Sequence, residues 1–181
     1  MTVAEKIKRY TYADYLTWPN DERWELIDGV PYSMSPAPTT RHQDVTLSFA
    51  SVIRSKLAGK SCKVFVAPTD VVLSDLDVIQ SDILVVCDKK KITDANIQGA
   101  PDLVIEVLSP ATALKDRREK KALYEKHGVP EYIIADPISN TVERYLLKNS
   151  RYDAPEVFGP QDNLSTHLPD GIEIPLTEIF A

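Results

Sequence analysis

The clearest patterning in the chain runs from Pro101 to Pro137, PDLVIEVLSPATALKDRREKKALYEKHGVPEYIIADP. Leu103, Val104, Ile105, Val107 and Leu108 form a near-continuous apolar run between Pro-Asp and Ser-Pro, which predicts a strand covered on both faces. Glu106 interrupts that run. Strand side chains alternate, so Asp102, Val104, Glu106 and Leu108 share one face and Leu103, Ile105 and Val107 the other. An unpaired carboxylate is costly to bury, so Glu106 requires a cation, a metal or a raised pKa. Downstream, Asp116, Lys120 and Tyr124 recur at helical spacing, with Leu123 and His127 alongside. Asp116 and Glu119 predict the start of this helix, and Gly128 with Pro130 its end. A short connection folds such a helix back over its own strand, which brings Lys120 within reach of Glu106.

The remaining pattern predicts a mixed sheet flanked by helices, of the α/β (α+β) class. Thr11 opens a short helix, TYADYLTW, closed by Pro19. WELIDGVPYSM predicts a hairpin turning at Asp28-Gly29, with Glu25 near its start. SPAPTTRHQ is a Pro-rich loop, and Thr40 with Gln43 predicts a capping box for an amphipathic helix ending at Gly59. Its apolar stripe is Val45, Phe49, Val52, Ile53 and Leu57. Strands are expected over Cys62–Leu73 and Val78–Cys87, the second interrupted by Asp82. EYIIADP and TVERYLL add two more, followed by GIEIPL and a short helix to Phe180.

With 181 residues, 43% of them hydrophobic, the chain can bury one sizeable core, so 1–181 is expected to form a single domain. Cys62 and Cys87 lie inside apolar runs and suit neither a disulfide framework nor a Cys-x-x-Cys metal pair; they are expected to be buried, reduced thiols in a cytoplasmic protein. MTVAEKIKRYTYADY lacks the apolar core of a signal peptide, and no segment approaches the ~20 apolar residues of a membrane span. The formal charge of -6 does not favour a polyanion partner unless the basic residues cluster. Two clusters bracket the Glu106 strand: Lys89, Lys90 and Lys91 before it, and Lys115, Arg117, Arg118, Lys120 and Lys121 after it. They read either as a phosphate-facing rim or as a solvated basic surface.

Taken together, WELIDGVPYSMSPAPTTRHQ, VFVAPTDVVLS, VIQSDILVVCD, GAPDLVIEVLSPAT, the Asp116 to Tyr124 helix, GVPEYIIADP and GIEIPLTEIF resemble the Uma-two family of restriction-endonuclease-like proteins. The resemblance covers nearly the whole chain and keeps the motif order. It implies a restriction-endonuclease-like core and a variant of the PD-(D/E)XK nuclease motif. Ser81-Asp82 would stand for the Pro-Asp element and Glu106 for the second acid. Leu108 occupies the usual Lys position, and the lysine would come instead from the following helix as Lys120. Glu25 matches the early Glu of the family, while His42 and Gln43 match a His-Gln element of open role.

These residue types suit phosphodiester hydrolysis, which needs charge stabilisation at the phosphate and a deprotonated water. The resemblance implies Mg²⁺ or Mn²⁺ held by Asp82 and Glu106, with the Val107 carbonyl as a further ligand. Lys120 would act on the water or the phosphate, and Glu25 would hold a second metal or orient Lys120. Asp102 reads as a turn or cap residue after Pro101. The expectation is a metal-dependent DNA endonuclease acting as a homodimer; the alternative is a non-catalytic binding or dimerisation scaffold, and a third reading is hydrolysis of a different phosphate ester, including RNA. His42, His127 and His167 show no zinc spacing, Ser109 lacks a nucleophile elbow, and no Gly-rich phosphate loop is present. Trp18, Trp24 and the Tyr residues read as packing rather than base-stacking surfaces.

Overall fold

The computed structural model describes residues 8–19, 21–34 and 37–181. The start of the expected N-terminal reading, residues 1–7, and Ser35-Pro36 of the Pro-rich loop lie outside them. Thr11 caps α1 (Tyr12–Tyr15) through a reciprocal box with Asp14. The hairpin of β1 (Trp24–Ile27) and β2 (Val30–Ser33) turns at Asp28-Gly29, both with positive φ, at 50° and 72°. A side chain at Gly29 would meet the Tyr10 carbonyl oxygen at 2.9 Å, so the turn needs glycine for space as well as conformation. Thr39, not Thr40, caps α2 (Thr40–Lys56), accepting from the His42 N–H, and Gln43 is exposed.

Each of the two long strands expected next is broken in the middle. Residues 62–73 divide into β3 (Lys63–Val66) and β4 (Val71–Ser74), and 78–87 into β5 (Asp77–Ile79) and β6 (Ile83–Val86). The four pieces form one antiparallel ribbon that bends from one sheet into another. Pro68 cannot donate to a ladder, and Asp70, Gln80 and Asp82 are polar, so apolar continuity fails at the same level in both arms. The Ala67 N–H still donates to the Asp82 carbonyl across the bend, at 3.1 Å.

After a 3₁₀ turn at Lys89–Lys91 come β7 (Ile97–Gln98) and β8 (Leu103–Val107). The helical segment that follows has three parts: α3 (Ala113–Lys115), a π-helical turn at Asp116–Lys120 and α4 (Lys121–Lys126). Asp116 is therefore buried inside the segment rather than capping it, because the helix starts a turn earlier, after Ser109-Pro110. β9 (Glu131–Asp136) and β10 (Thr141–Lys148) form the expected antiparallel pair, extended by β11 (Arg151–Tyr152) and β12 (Glu156–Phe158). β13 (Asn163–Ser165) pairs with β14 (Glu173–Pro175) in a separate two-stranded sheet, and a 3₁₀ turn at Leu176–Glu178 follows.

The major sheet runs β11-β10-β9-β8-β6-β3, with β8 and β9 parallel across the helical crossover. The second sheet runs β2-β1-β5-β4-β7. One face of the major sheet buries Ile83, Val85, Leu103, Ile105 and Val107 against Val45, Phe49, Ile53 and Leu57 of α2 and the C-terminal residues. The opposite face places Leu84, Val104, Leu108 and Tyr132 with Leu123 and Tyr124 of α4 and with Ile27, Val71 and Ile79 of the second sheet. The alternation read along β8 is thus the observed one. Glu106 belongs to the second face, between the sheets and the helix.

Cys62 and Cys87 are not free thiols: they form a disulfide. The antiparallel register pairs Lys63 with Val86, so the next position outward juxtaposes the two cysteines. Residues 25 apart become neighbours through pairing that spacing alone does not reveal. The bond removes the thiol argument for a cytoplasmic setting. Among the described residues no helix is long and apolar enough to cross a membrane.

Candidate active site

Glu106 is only 2% exposed, and both its oxygens are engaged. Oε1 accepts from Lys120 Nζ at 2.9 Å and from the Tyr124 hydroxyl at 2.5 Å. Oε2 receives a longer contact from the Asp82 N–H at 3.4 Å. The π-helical turn carries Lys120 inward, and α4 begins with its successor, so Lys120 and Tyr124 reach the same carboxylate oxygen. Tyr124 also touches Ser81 Oγ at 3.1 Å, which ties the helix to the ribbon bend.

Lys120 is shared. Its ammonium lies 3.0 Å from Glu25 Oε1 and 4.0 Å from Asp116 Oδ1 as well as against Glu106. Glu25 also pairs with Lys115 through Oε2 and accepts the Gln80 N–H at 3.1 Å. Asp82 completes the group from the ribbon bend. Its Oδ2 accepts the Val107 N–H at 2.9 Å and lies 3.2 Å from His42 Nε2 on α2. Asp82 stands at the ribbon bend, immediately before β6, where its side chain meets the β8 backbone at Val107.

Electrostatics follow from this crowding. Burial pushes the Glu106 carboxyl up, Lys120 pulls it down, and Asp82, Asp116 and Glu25 push it up again, leaving it at about 8. Asp116 is raised for the same main reason, burial, against the pull of Lys120. Burial also opposes the charge on Lys120, yet Glu106, Glu25 and Asp116 hold it well above an ordinary lysine. Glu25 moves the other way: Lys120 and Lys115 outweigh its burial and lower its pKa. His42 is lifted by Asp82 against the effect of burial.

Asp82, Glu106, Lys120 and Glu25 are therefore brought together, and Val107 is adjacent through its backbone. Gln43 is not part of the group. Asp102 accepts the Cys87 N–H at 2.7 Å and ties the start of β8 to the end of its partner strand β6. The basic cluster after β8 does not form a common rim: Arg117 pairs with Glu143, Lys121 lies over Tyr145, and Lys120 is buried. Lys91 donates to the Ala100 carbonyl at 2.7 Å. Sequence reasoning missed Asp116 and Tyr124 as members of the cluster and Lys115 as a partner of Glu25. The shared helical face of Asp116, Lys120 and Tyr124 was the available signal. Among the described residues no three His, Cys, Asp or Glu side chains stand in a metal-holding arrangement.

The family Uma2, described as "Putative restriction endonuclease", matches residues 12–177. The chain belongs to this family. A relative from Synechocystis sp., an uncharacterized protein, is 25% identical over 136 residues, which are 73% of this chain and 71% of that protein. A crystal structure from Anabaena variabilis, titled as that of "a putative nuclease belonging to DUF820", superposes with a TM-score of 0.77. It is 22% identical and covers 94% of this chain and 97% of its own. At that identity the likeness establishes a shared fold, so the Uma2 chain has the mixed α+β architecture of that structure.

Proposed function

We propose that this chain is a divalent-metal-dependent endonuclease that hydrolyses phosphodiester bonds of DNA. Family membership supports the class of reaction, and one observation carries the site: a carboxylate in an apolar strand, Glu106, is met by Asp82 from a broken strand and by Lys120 from the crossover helix. The donor set fits Mg²⁺ or Mn²⁺, hard ions that accept one or two carboxylates and keep several waters. Asp82, Glu106 and the Val107 carbonyl would hold the ion. The charge balance also fits, because among the described residues Glu25, Asp82, Glu106 and Asp116 face only Lys115 and Lys120 apart from His42. When bound, such an ion supplies Lewis acidity and a water deprotonated near neutral pH.

The chain's own groups do the positioning. Lys120 and Tyr124 fix one oxygen of Glu106, and Glu25 and Asp116 fix Lys120. Val107 and His42 hold Oδ2 of Asp82. Glu25 serves as an orienting group in this reading, not as ligand to a second ion, since its oxygens are taken by two ammoniums and the Gln80 N–H. Cutting both strands of a duplex would engage a homodimer.

A non-catalytic scaffold is the second reading, favoured by the fact that each acid of the cluster already has a cation or a donor. Calorimetric titration of Mg²⁺ and Mn²⁺ into the parent and Glu106→Gln, with plasmid nicking on the same samples, decides between them. Binding and nicking that both vanish in the variant are expected. A parent that neither binds nor nicks, or a variant that nicks as well as the parent, overturns the nuclease mechanism.

A further inference from the structure

Lys115 and Lys120 share Glu25 but differ in what holds them. Lys120 is almost fully buried and touches three carboxylates, so moving it would leave several buried charges without a cation. Among the described residues Lys115 has one carboxylate partner, and 21% of its side chain is exposed. Glu25 would still be paired with Lys120 and the Gln80 N–H if Lys115 swung away. The ammonium of Lys115 also lies 4.6 Å from the centre of the Tyr32 ring, a face that accepts a cation without fixing it through a second charge. Its four-carbon stem and three donors suit a point contact to a phosphate oxygen. Because Lys120 bridges Glu25 and Glu106, this ammonium stands one carboxylate and one lysine away from Glu106.

The geometry points to Lys115 as a substrate-contacting residue: on DNA binding it leaves Glu25 for a non-bridging phosphate oxygen of the backbone near the Glu106 cluster. This rests on the nuclease reading and goes beyond it, since it gives the two helix lysines separate tasks. Lys120 is a positioning residue inside the cluster, and Lys115 is the cation that meets the polyanion. The other lysines and arginines of the same helical segment lack this combination of a link to the cluster and solvent exposure: Arg117 is paired with Glu143 and Lys121 lies on Tyr145.

The test is fluorescence anisotropy of a labelled DNA duplex in Ca²⁺ over a series of NaCl concentrations, with parent, Lys115→Gln, Lys115→Arg and the charge control Lys148→Gln. Lys148, the last residue of β10, pairs with Asp153 and has no ion pair with the cluster among the described residues. Loss of one phosphate contact should weaken binding about three- to tenfold and make the log–log salt slope shallower by about one. Lys115→Gln is expected to show both, Lys115→Arg to restore both, and Lys148→Gln to change neither. In nicking assays Lys115→Gln should raise KM more than it lowers kcat. Unchanged affinity and slope in Lys115→Gln overturns the proposal while leaving the nuclease reading in place. Equal losses in Lys115→Gln and Lys115→Arg, with a lowered Tm, make the residue structural and also overturn it. A parent that binds no duplex overturns this proposal and the nuclease reading together.

Discussion

Two buried carboxylates, Asp77 and Glu106, each take a lysine from the same helical segment, yet burial leaves them in opposite states. Asp77 is 1% exposed and accepts from the Asp28 N–H at 2.7 Å, Ser74 Oγ at 2.9 Å, Lys126 Nζ at 3.0 Å and His127 Nε2 at 2.8 Å. Burial raises its pKa, but those hydrogen bonds prevail and lower it below the ordinary aspartate value. Glu106 receives Lys120 and Tyr124 but stands among Asp82, Asp116 and Glu25, and its carboxyl rises to about 8. The contrast is one of donors against competitors. A buried acid with a surplus of donors is a clamp, here joining the β4–β5 turn to the end of α4. A buried acid with a surplus of like charge is poised to take a further cation, as functional sites often are.

The sharpest way to break the comparison is at Lys120. Lys120→Ala removes the one ammonium bonded to both Glu25 and Glu106, and should abolish nicking while costing about 3–5 kcal/mol of stability, since buried carboxylates lose their cation. Denaturant melts beside the nicking assay measure both effects, and metal affinity should survive. Asp77→Asn should cost about 2–3 kcal/mol by weakening charge-assisted bonds, yet leave Mg²⁺ affinity within twofold or so of the parent. A large loss of metal affinity in that variant would show that the clamp and the site are not separable.

The pH dependence of stability sharpens the contrast further. Asp77 has a lowered folded pKa, so its contribution is present above the unfolded value, about 3.9, and is lost as pH falls through the folded one. Glu106 has a raised folded pKa, so the native state holds the extra proton. Its effect is to reduce stability as pH climbs from about 4.3 towards its folded value. Urea titrations across pH should show Asp77→Asn flattening the acid limb and Glu106→Gln flattening the decline towards alkaline pH. The smallest effect is expected at Asp102, whose side-chain bond to the Cys87 N–H is worth about 1 kcal/mol. Asp102→Ala should therefore shift the melt slightly and spare nicking.

How much was legible in the sequence depends on how local the cause was. The Asp28-Gly29 hairpin, the Thr11 cap and the two-faced alternation of β8 follow from turn chemistry and strand periodicity, and the structure repeats them. The reach of Lys120 to Glu106 was also readable, because a helix returning over its strand leaves few lysines in range. The π-helical turn was not readable, since the four-residue spacing of Asp116, Lys120 and Tyr124 predicts an ordinary helix just as well.

The sequence by itself determined which residues had to be explained: a glutamate among aliphatic strand residues, an aspartate at the edge of another such run, and a lysine on the intervening helix. Only the tertiary structure decided how they meet. The bend that sets Asp82 beside Val107 and His42, the exposure of Lys115 against the burial of Lys120, and the Cys62–Cys87 bond all depend on residues far apart in the chain. Periodicity reports the face on which a side chain lies. Pairing partners, competing charges and solvent access are set by neighbours that only the folded sheets bring together.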